Sequence, residues 1–143
     1  MSTRVLLVED EPILVSLYTM ALNSDGYEVT TALDATTAEQ RLLINRPHAI
    51  LLDLLIPIIP SGTLDSPDFH EPVGFRILRL VKSNPTLAHI KVLVLSNLDS
   101  DEHINTAKKL GADEYLVKAS LEPHDLALKI KDALNRHAPV QMG

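Results

Sequence analysis

Short apolar runs alternate with stretches of helical spacing along nearly the whole chain. Residues 5–8 form an apolar run of strand formers, closed by Glu9, Asp10 and Glu11. Pro12 suits the first turn of a helix, where its missing N–H costs nothing. Leu14, Leu17, Tyr18 and Ala21 follow at helical spacing, and Gly26 marks where that helix stops. Residues 27–31 alternate and are β-branched at Val29, Thr30 and Thr31, which predicts a second strand. Thr36 with Glu39 three positions on is a capping-box signature, opening a helix to about Asn45 that Pro47 prevents from continuing. Residues 49–56 are apolar except for Asp53, with Pro47 before them and Pro57 after. Such a run reads as a strand buried on both faces, as at the centre of a parallel sheet.

The rhythm breaks between Pro57 and Pro72, where Pro60, Ser61, Gly62, Ser66 and Pro67 predict a loop. Helical spacing resumes with Gly74, Ile77, Leu78 and Val81 and ends at Asn84-Pro85. Residues 92–95 are a fourth apolar strand, closed by Ser96. Asp99 is placed to cap a helix bearing Ile104, Ala107 and Leu110, with Gly111 past its end. Residues 115–117 make a fifth strand, closed by Lys118, and Pro123 opens a last helix through Leu126, Ile130, Ala133 and Leu134. Five strand–helix units imply an α/β fold, a parallel sheet covered by helices on both faces. The third interval is almost twice the others, and the surplus is the Pro-rich loop. The tail from His137 is expected to fray.

Composition narrows the class. The chain has 143 residues, a length that fits one domain. Aromatics are 3%, so Leu, Ile, Val and Ala must build the core. The net charge of -6 argues against nonspecific nucleic-acid binding. There is no cysteine, which removes disulfide and thiolate chemistry and agrees with a cytoplasmic location. No secretory leader is recognisable, and no apolar stretch approaches the ~18 residues a membrane span needs.

The chemistry gathers at strand ends. In open α/β sheets, ligands bind beyond the carboxyl ends of the strands. The first strand delivers Glu9, Asp10 and Glu11, the third Asp53, the fourth Ser96 and Asn97, the fifth Lys118. A lone buried carboxylate is costly, so Asp53 belongs at the strand's end. Clustered carboxylates raise one another's pKa unless a cation sits among them. Hard oxygen ligands without His or Cys suit Mg2+, and a lysine and a hydroxyl hold phosphoryl oxygens. Mg2+-assisted phosphoryl chemistry follows, with a carboxylate as nucleophile or ligand. Taken singly, each residue has a plainer role. The first acidic group can favour a helix N-terminus by about 0.3–1 kcal/mol, Glu11 above all. Lys118 can be a solvated strand-end lysine, Ser96 a turn residue and Tyr115 a half-exposed strand aromatic. The six histidines show no ligand spacing.

Four segments, in this order, resemble the receiver domain of bacterial two-component response regulators. They are residues 5–12 with the acidic pair, 51–57 with Asp53 and Pro57, 92–96 with Ser96, and 111–118 with Lys118. The resemblance covers about residues 1–136 apart from the loop 57–73, with 137–143 as a tail. It implies a doubly wound sheet of flavodoxin-like order 2-1-3-4-5. It implies a stand-alone phosphoacceptor signalling protein, not an enzyme acting on other substrates. Asp53 would accept the phosphoryl group from a histidine kinase or phosphotransfer protein. Asp10, Asp53 and the Leu55 carbonyl would bind Mg2+, and Glu9 would act through water. Lys118 and Ser96 would hold the phosphoryl oxygens, and Ser96 and Tyr115 would form the switch. The face of the fourth helix, fifth strand and fifth helix would carry output to a downstream protein or pair two phosphorylated copies.

The chain also departs from that pattern. Ala119 follows Lys118 where the family usually has a proline after a cis bond; trans geometry is expected here, since cis before alanine costs about 3 kcal/mol. Asn97 stands where a small residue is usual, to crowd the pocket or add a hydrogen bond. Leu55 and Leu98 are apolar at positions that tune dephosphorylation, which predicts a long-lived phosphoryl-aspartate. The loop adds Asp65, Asp68 and Glu71, and His70, near the acidic rim. It is a lid or a partner-selecting element, or else a tolerated insertion. Two other functions compete: a Mg2+-dependent phosphatase of the haloacid dehalogenase kind, which needs an aspartate where Leu55 stands, and a docking receiver that is never phosphorylated.

Overall fold

A computed structural model describes residues 2–60 and 71–136. Five parallel strands form one sheet in the order β2-β1-β3-β4-β5. They are β1 (Arg4–Val8), β2 (Glu28–Ala32), β3 (Ala49–Leu52), β4 (Lys91–Ser96) and β5 (Glu114–Val117). The helices between and after them are α1 (Pro12–Ser24), α2 (Ala35–Asn45), α3 (Gly74–Ser83), α4 (Asp101–Lys109) and α5 (Leu126–Asn135). The strand order reverses at β1 and β3, where successive connections leave for opposite faces. No helix among the described residues is long and apolar enough to cross a membrane.

The apolar strands are explained by burial on both sides. Leu6, Ile50, Leu52, Val92 and Val94 face α2 and α3, together with Ile77, Leu78 and Val81. Val5, Leu7, Leu51, Leu93 and Leu95 face the other way, onto Tyr18 and Leu22 of α1 and Leu126 and Ile130 of α5. This is the period-2 alternation of a strand with both faces apolar. In-register pairing puts Val8 beside Leu52, Leu52 beside Val94, and Ser96 beside Val117. The strand ends therefore reach the rim together.

Several boundaries differ from the sequence expectation. β3 stops at Leu52, so the apolar continuation 54–56 is loop. Leu54 and Ile56 are nonetheless buried, because they turn into the α2–α3 side of the core. The α2 cap is Asp34 and not Thr36: its Oδ1 accepts from Thr37 N at 2.7 Å. The Thr36 hydroxyl instead donates to Ile58 O at 2.7 Å. Ser100, not Asp99, caps α4, accepting from His103 N. Pro123 opens a 3-10 turn that leads into α5.

The long loop is fastened where it leaves and where it returns. Ala35 N and Thr36 N at the start of α2 donate to Pro57 O and Ile58 O, both at 2.9 Å. Gly74 N donates to Leu54 O at 2.9 Å, and Arg79 of α3 pairs with Glu71. A Cβ on Gly74 would lie 2.5 Å from Leu54 Cα and 2.6 Å from Asp53 O, so only glycine allows this approach. Both ends of the excursion are thus held against α2, α3 and the stub of β3. Asp65, Asp68 and His70, and with them the lid reading, lie outside the described residues, as does the tail 137–143.

Candidate functional site

Asp53 is the first residue past β3, and its N–H donates to Val8 O at 3.0 Å. That bond extends the β1–β3 ladder by one step and fixes the carboxylate at the rim. The residue is only 4% exposed. Its Oδ1 accepts from Leu55 N at 3.1 Å, and its Oδ2 accepts from Lys118 Nζ at 2.9 Å.

Glu9 approaches from β1. It is fully buried, and its Oε2 accepts from Asp10 N at 3.1 Å and Glu11 N at 3.2 Å. The other oxygen, Oε1, lies 2.6 Å from Lys118 Nζ, a charge-to-charge approach without hydrogen-bond alignment. Lys118 therefore sits between two buried carboxylates. Sequence reasoning paired it with Asp53 alone and missed Glu9. The missed signal was the immediate adjacency of Glu9 to the buried run 5–8, which draws it inside while Glu11 stays exposed.

Carboxylate oxygens of Glu9, Asp10 and Asp53 all lie within 4.8 Å of one another. Burial is the largest reason that Asp53 titrates high, at about 7; repulsion from Glu9 adds to it and the Lys118 contact opposes it. Asp10 is likewise raised by burial, with Glu9 adding and its own backbone N–H and Lys118 opposing. For Lys118, burial alone would favour the neutral amine, but contact with Glu9 and Asp53 outweighs it and raises its pKa. Ionised, three carboxylates face one ammonium, leaving an excess of negative charge that a divalent cation would balance. The unaligned buried oxygen of Glu9 and the all-oxygen donor set fit such an ion.

Ser96 ends β4, fully buried, and its hydroxyl accepts from Leu98 N at 3.1 Å. Tyr115 of β5 is half-buried and its hydroxyl donates to Leu98 O. Burial is the main reason its phenol titrates above the ordinary value. The switch pair of the sequence reading is thus joined through Leu98. Asn97 is exposed, and its Oδ1 accepts from Ala119 N at 3.0 Å. The Lys118–Ala119 bond is trans, and Lys118–Ser120 form a 3-10 turn. Leu55 is 43% exposed at the mouth of the site.

The chain that carries this site has known relatives. The chain is 32% identical over 118 residues to the response regulator PleD of Caulobacter vibrioides, covering 82% of this chain and 23% of that protein. It is 35% identical over 127 residues to a gliding motility regulatory protein of Myxococcus xanthus, covering 89% of this chain and 15% of that one. The chain thus spans less than a quarter of either relative. Among solved structures, the phosphorylated cyanobacterial phytochrome response regulator RcpA superposes with a TM-score of 0.71 at 28% identity, over 92% of this chain and 91% of that one. The family model of the response regulator receiver domain matches residues 5–131. The chain belongs to that family.

Proposed function

We propose that this chain is a phosphorylation-controlled signalling module whose phosphoacceptor is Asp53. The observation that carries this reading is a nearly buried carboxylate held between Lys118 and an acidic pair at the strand rim. An Asp53 oxygen attacks the phosphorus of a donor phosphohistidine, the P–N bond breaks, and the imidazole leaves with the electron pair. Lys118 moves from Asp53 to the transferred phosphoryl oxygens, keeping its charge throughout. The Ser96 hydroxyl turns from Leu98 N to donate to another phosphoryl oxygen. Bound Mg2+ would neutralise phosphoryl and carboxylate charge here, held by Asp10, Asp53 and the Leu55 carbonyl, with Glu9 acting from behind through water.

Tyr115 reads the state of this loop through its bond to Leu98 O. The output face comprises α4, β5 and α5, where a groove of about 360 Å3 is lined by Ile104, Lys108, Ala112, Tyr115, Val117 and Arg136. A downstream protein or a second phosphorylated copy would engage that face. The donor would be a sensor histidine kinase or a phosphotransfer protein in the cytoplasm, and residues 1–136 form the receiver unit.

Beryllofluoride with Mg2+, which mimics a phosphoryl-aspartate, tests the reading. Amide shifts around Asp53 and Tyr115 are expected to change on addition and to stay unchanged in Asp53→Asn. An unresponsive wild-type spectrum would refute it.

A further inference from the structure

The two loops that hold the phosphoryl-binding groups are joined by a hydrogen bond to Asn97 whose partner, Ala119, sequence reasoning did not foresee. β4 and β5 remain paired to Ser96 and Val117, the last step of their ladder. Just beyond it the backbones part. Asn97 reaches across with its side chain, and its Oδ1 takes the Ala119 N–H at 3.0 Å. A side-chain oxygen thus substitutes for the carbonyl that the sheet no longer supplies. Ala119 lies in the 3-10 turn Lys118–Ser120, whose first N–H groups have no partner inside the turn. The bond exists because residue 119 has an N–H; a proline there could not donate it.

The same loop is tied to β5 a second time, through Tyr115 and Leu98 O. Lys118 therefore lies between two tethers, Tyr115 before it and Ala119 after it, that both end on the loop beginning at Ser96. Resting on the phosphoacceptor reading above, we propose that Asn97 is a positioning residue that couples the loop carrying Ser96 to the turn carrying Lys118. When the Ser96 loop moves toward a phosphoryl group on Asp53, the Asn97 tether draws the Ala119 turn with it. Lys118 is then re-seated from Glu9 and Asp53 onto the phosphoryl oxygens in the same movement. Asn97 touches no reacting atom and acts only through Ala119.

The test compares Asn97→Ala, Ala119→Pro and the double variant with wild type. Asn97 and Ala119 are both exposed, so the variants are expected to fold, Asn97→Ala with a near-wild-type thermal midpoint. Ala119→Pro also restricts the backbone of Lys118, so the double variant is compared with Ala119→Pro as well as with wild type. Each single variant is expected to weaken beryllofluoride–Mg2+ binding by roughly fivefold, the scale of one hydrogen bond. The double variant is expected to lose no more than either single one. Without any ligand, Asn97→Ala should speed hydrogen exchange at the Ala119 amide and shift the Lys118 13Cε resonance. Asn97→Asp, which keeps the acceptor oxygen, should retain the exchange protection. Wild-type affinity in Asn97→Ala, or losses that multiply in the double variant, would overturn the coupling. If wild type itself binds no beryllofluoride, the phosphoacceptor reading fails. The tether is then decided by the ligand-free readouts: an unchanged Ala119 exchange rate or Lys118 resonance overturns it.

Discussion

Replacing Asp53 with Asn removes a charge that the fold is poorly suited to house without a cation. The unfolded chain releases the Asp53 proton near the ordinary value of 3.8, and the folded chain near 7. Between those values folding takes up a proton, so stability falls as pH rises through the window and is level above it. Three pKa units correspond to about 4 kcal/mol. Little solvent discount applies, because Asp53 is almost fully buried. Asn imitates the protonated carboxyl, so Asp53→Asn is expected to match wild type near pH 4 and to exceed it by about 4 kcal/mol near pH 8. Asp10 is raised in the same sense but is common to both proteins, so its effect largely cancels in the difference. The stabilising shift of Lys118 is lost only above its folded pKa, which lies beyond the window. Urea unfolding in EDTA across pH 4–8 measures the difference. Millimolar Mg2+ should narrow it at pH 8, since a cation favours the ionised carboxylate of wild type alone. A difference independent of pH, or a variant less stable than wild type at pH 8, would refute the reasoning.

Other perturbations have equally definite outcomes. Lys118→Met leaves Glu9 and Asp53 facing each other and should cost on the order of 3 kcal/mol at pH 7.5, less near pH 5 as Asp53 takes up a proton; unchanged urea stability would contradict this. Gly74→Ala should destabilise by about 1–3 kcal/mol despite alanine's better helix propensity, because the new Cβ meets Leu54 Cα and Asp53 O. Equal or greater stability would show that the α3 start can move away. Leu55 and Leu98 offer no group to orient an attacking water, so the phosphorylated form should outlast seconds when its decay is followed after donor removal. A half-life of seconds would contradict that.

The site was legible because its residues follow runs that can only be strands. Asp53 and Ser96 each come directly after residues buried on both sheet faces, and Lys118 directly after the half-buried edge strand β5; parallel strands in register bring such ends to one rim. Local spacing was a poorer guide to hydrogen bonds. Thr36 and Asp99 have the chemistry of helix caps, yet Asp34 and Ser100 take those roles. Thr36 was claimed by Ile58, a partner that only the loop departing from β3 supplies. The Glu9–Lys118 approach and the Asn97–Ala119 bond were hidden for the same reason. Each joins residues far apart in the chain whose meeting depends on how two loops leave the sheet, which no periodicity records.

Covalent labelling tests the central claim most directly. Wild-type protein incubated with acetyl phosphate and Mg2+ should gain the mass of one phosphoryl group, labile to hydroxylamine and mapped to the peptide carrying Asp53. The adduct should be absent in Asp53→Asn and in EDTA. A wild-type protein that gains no phosphoryl group, or an adduct that persists in Asp53→Asn, would contradict the account.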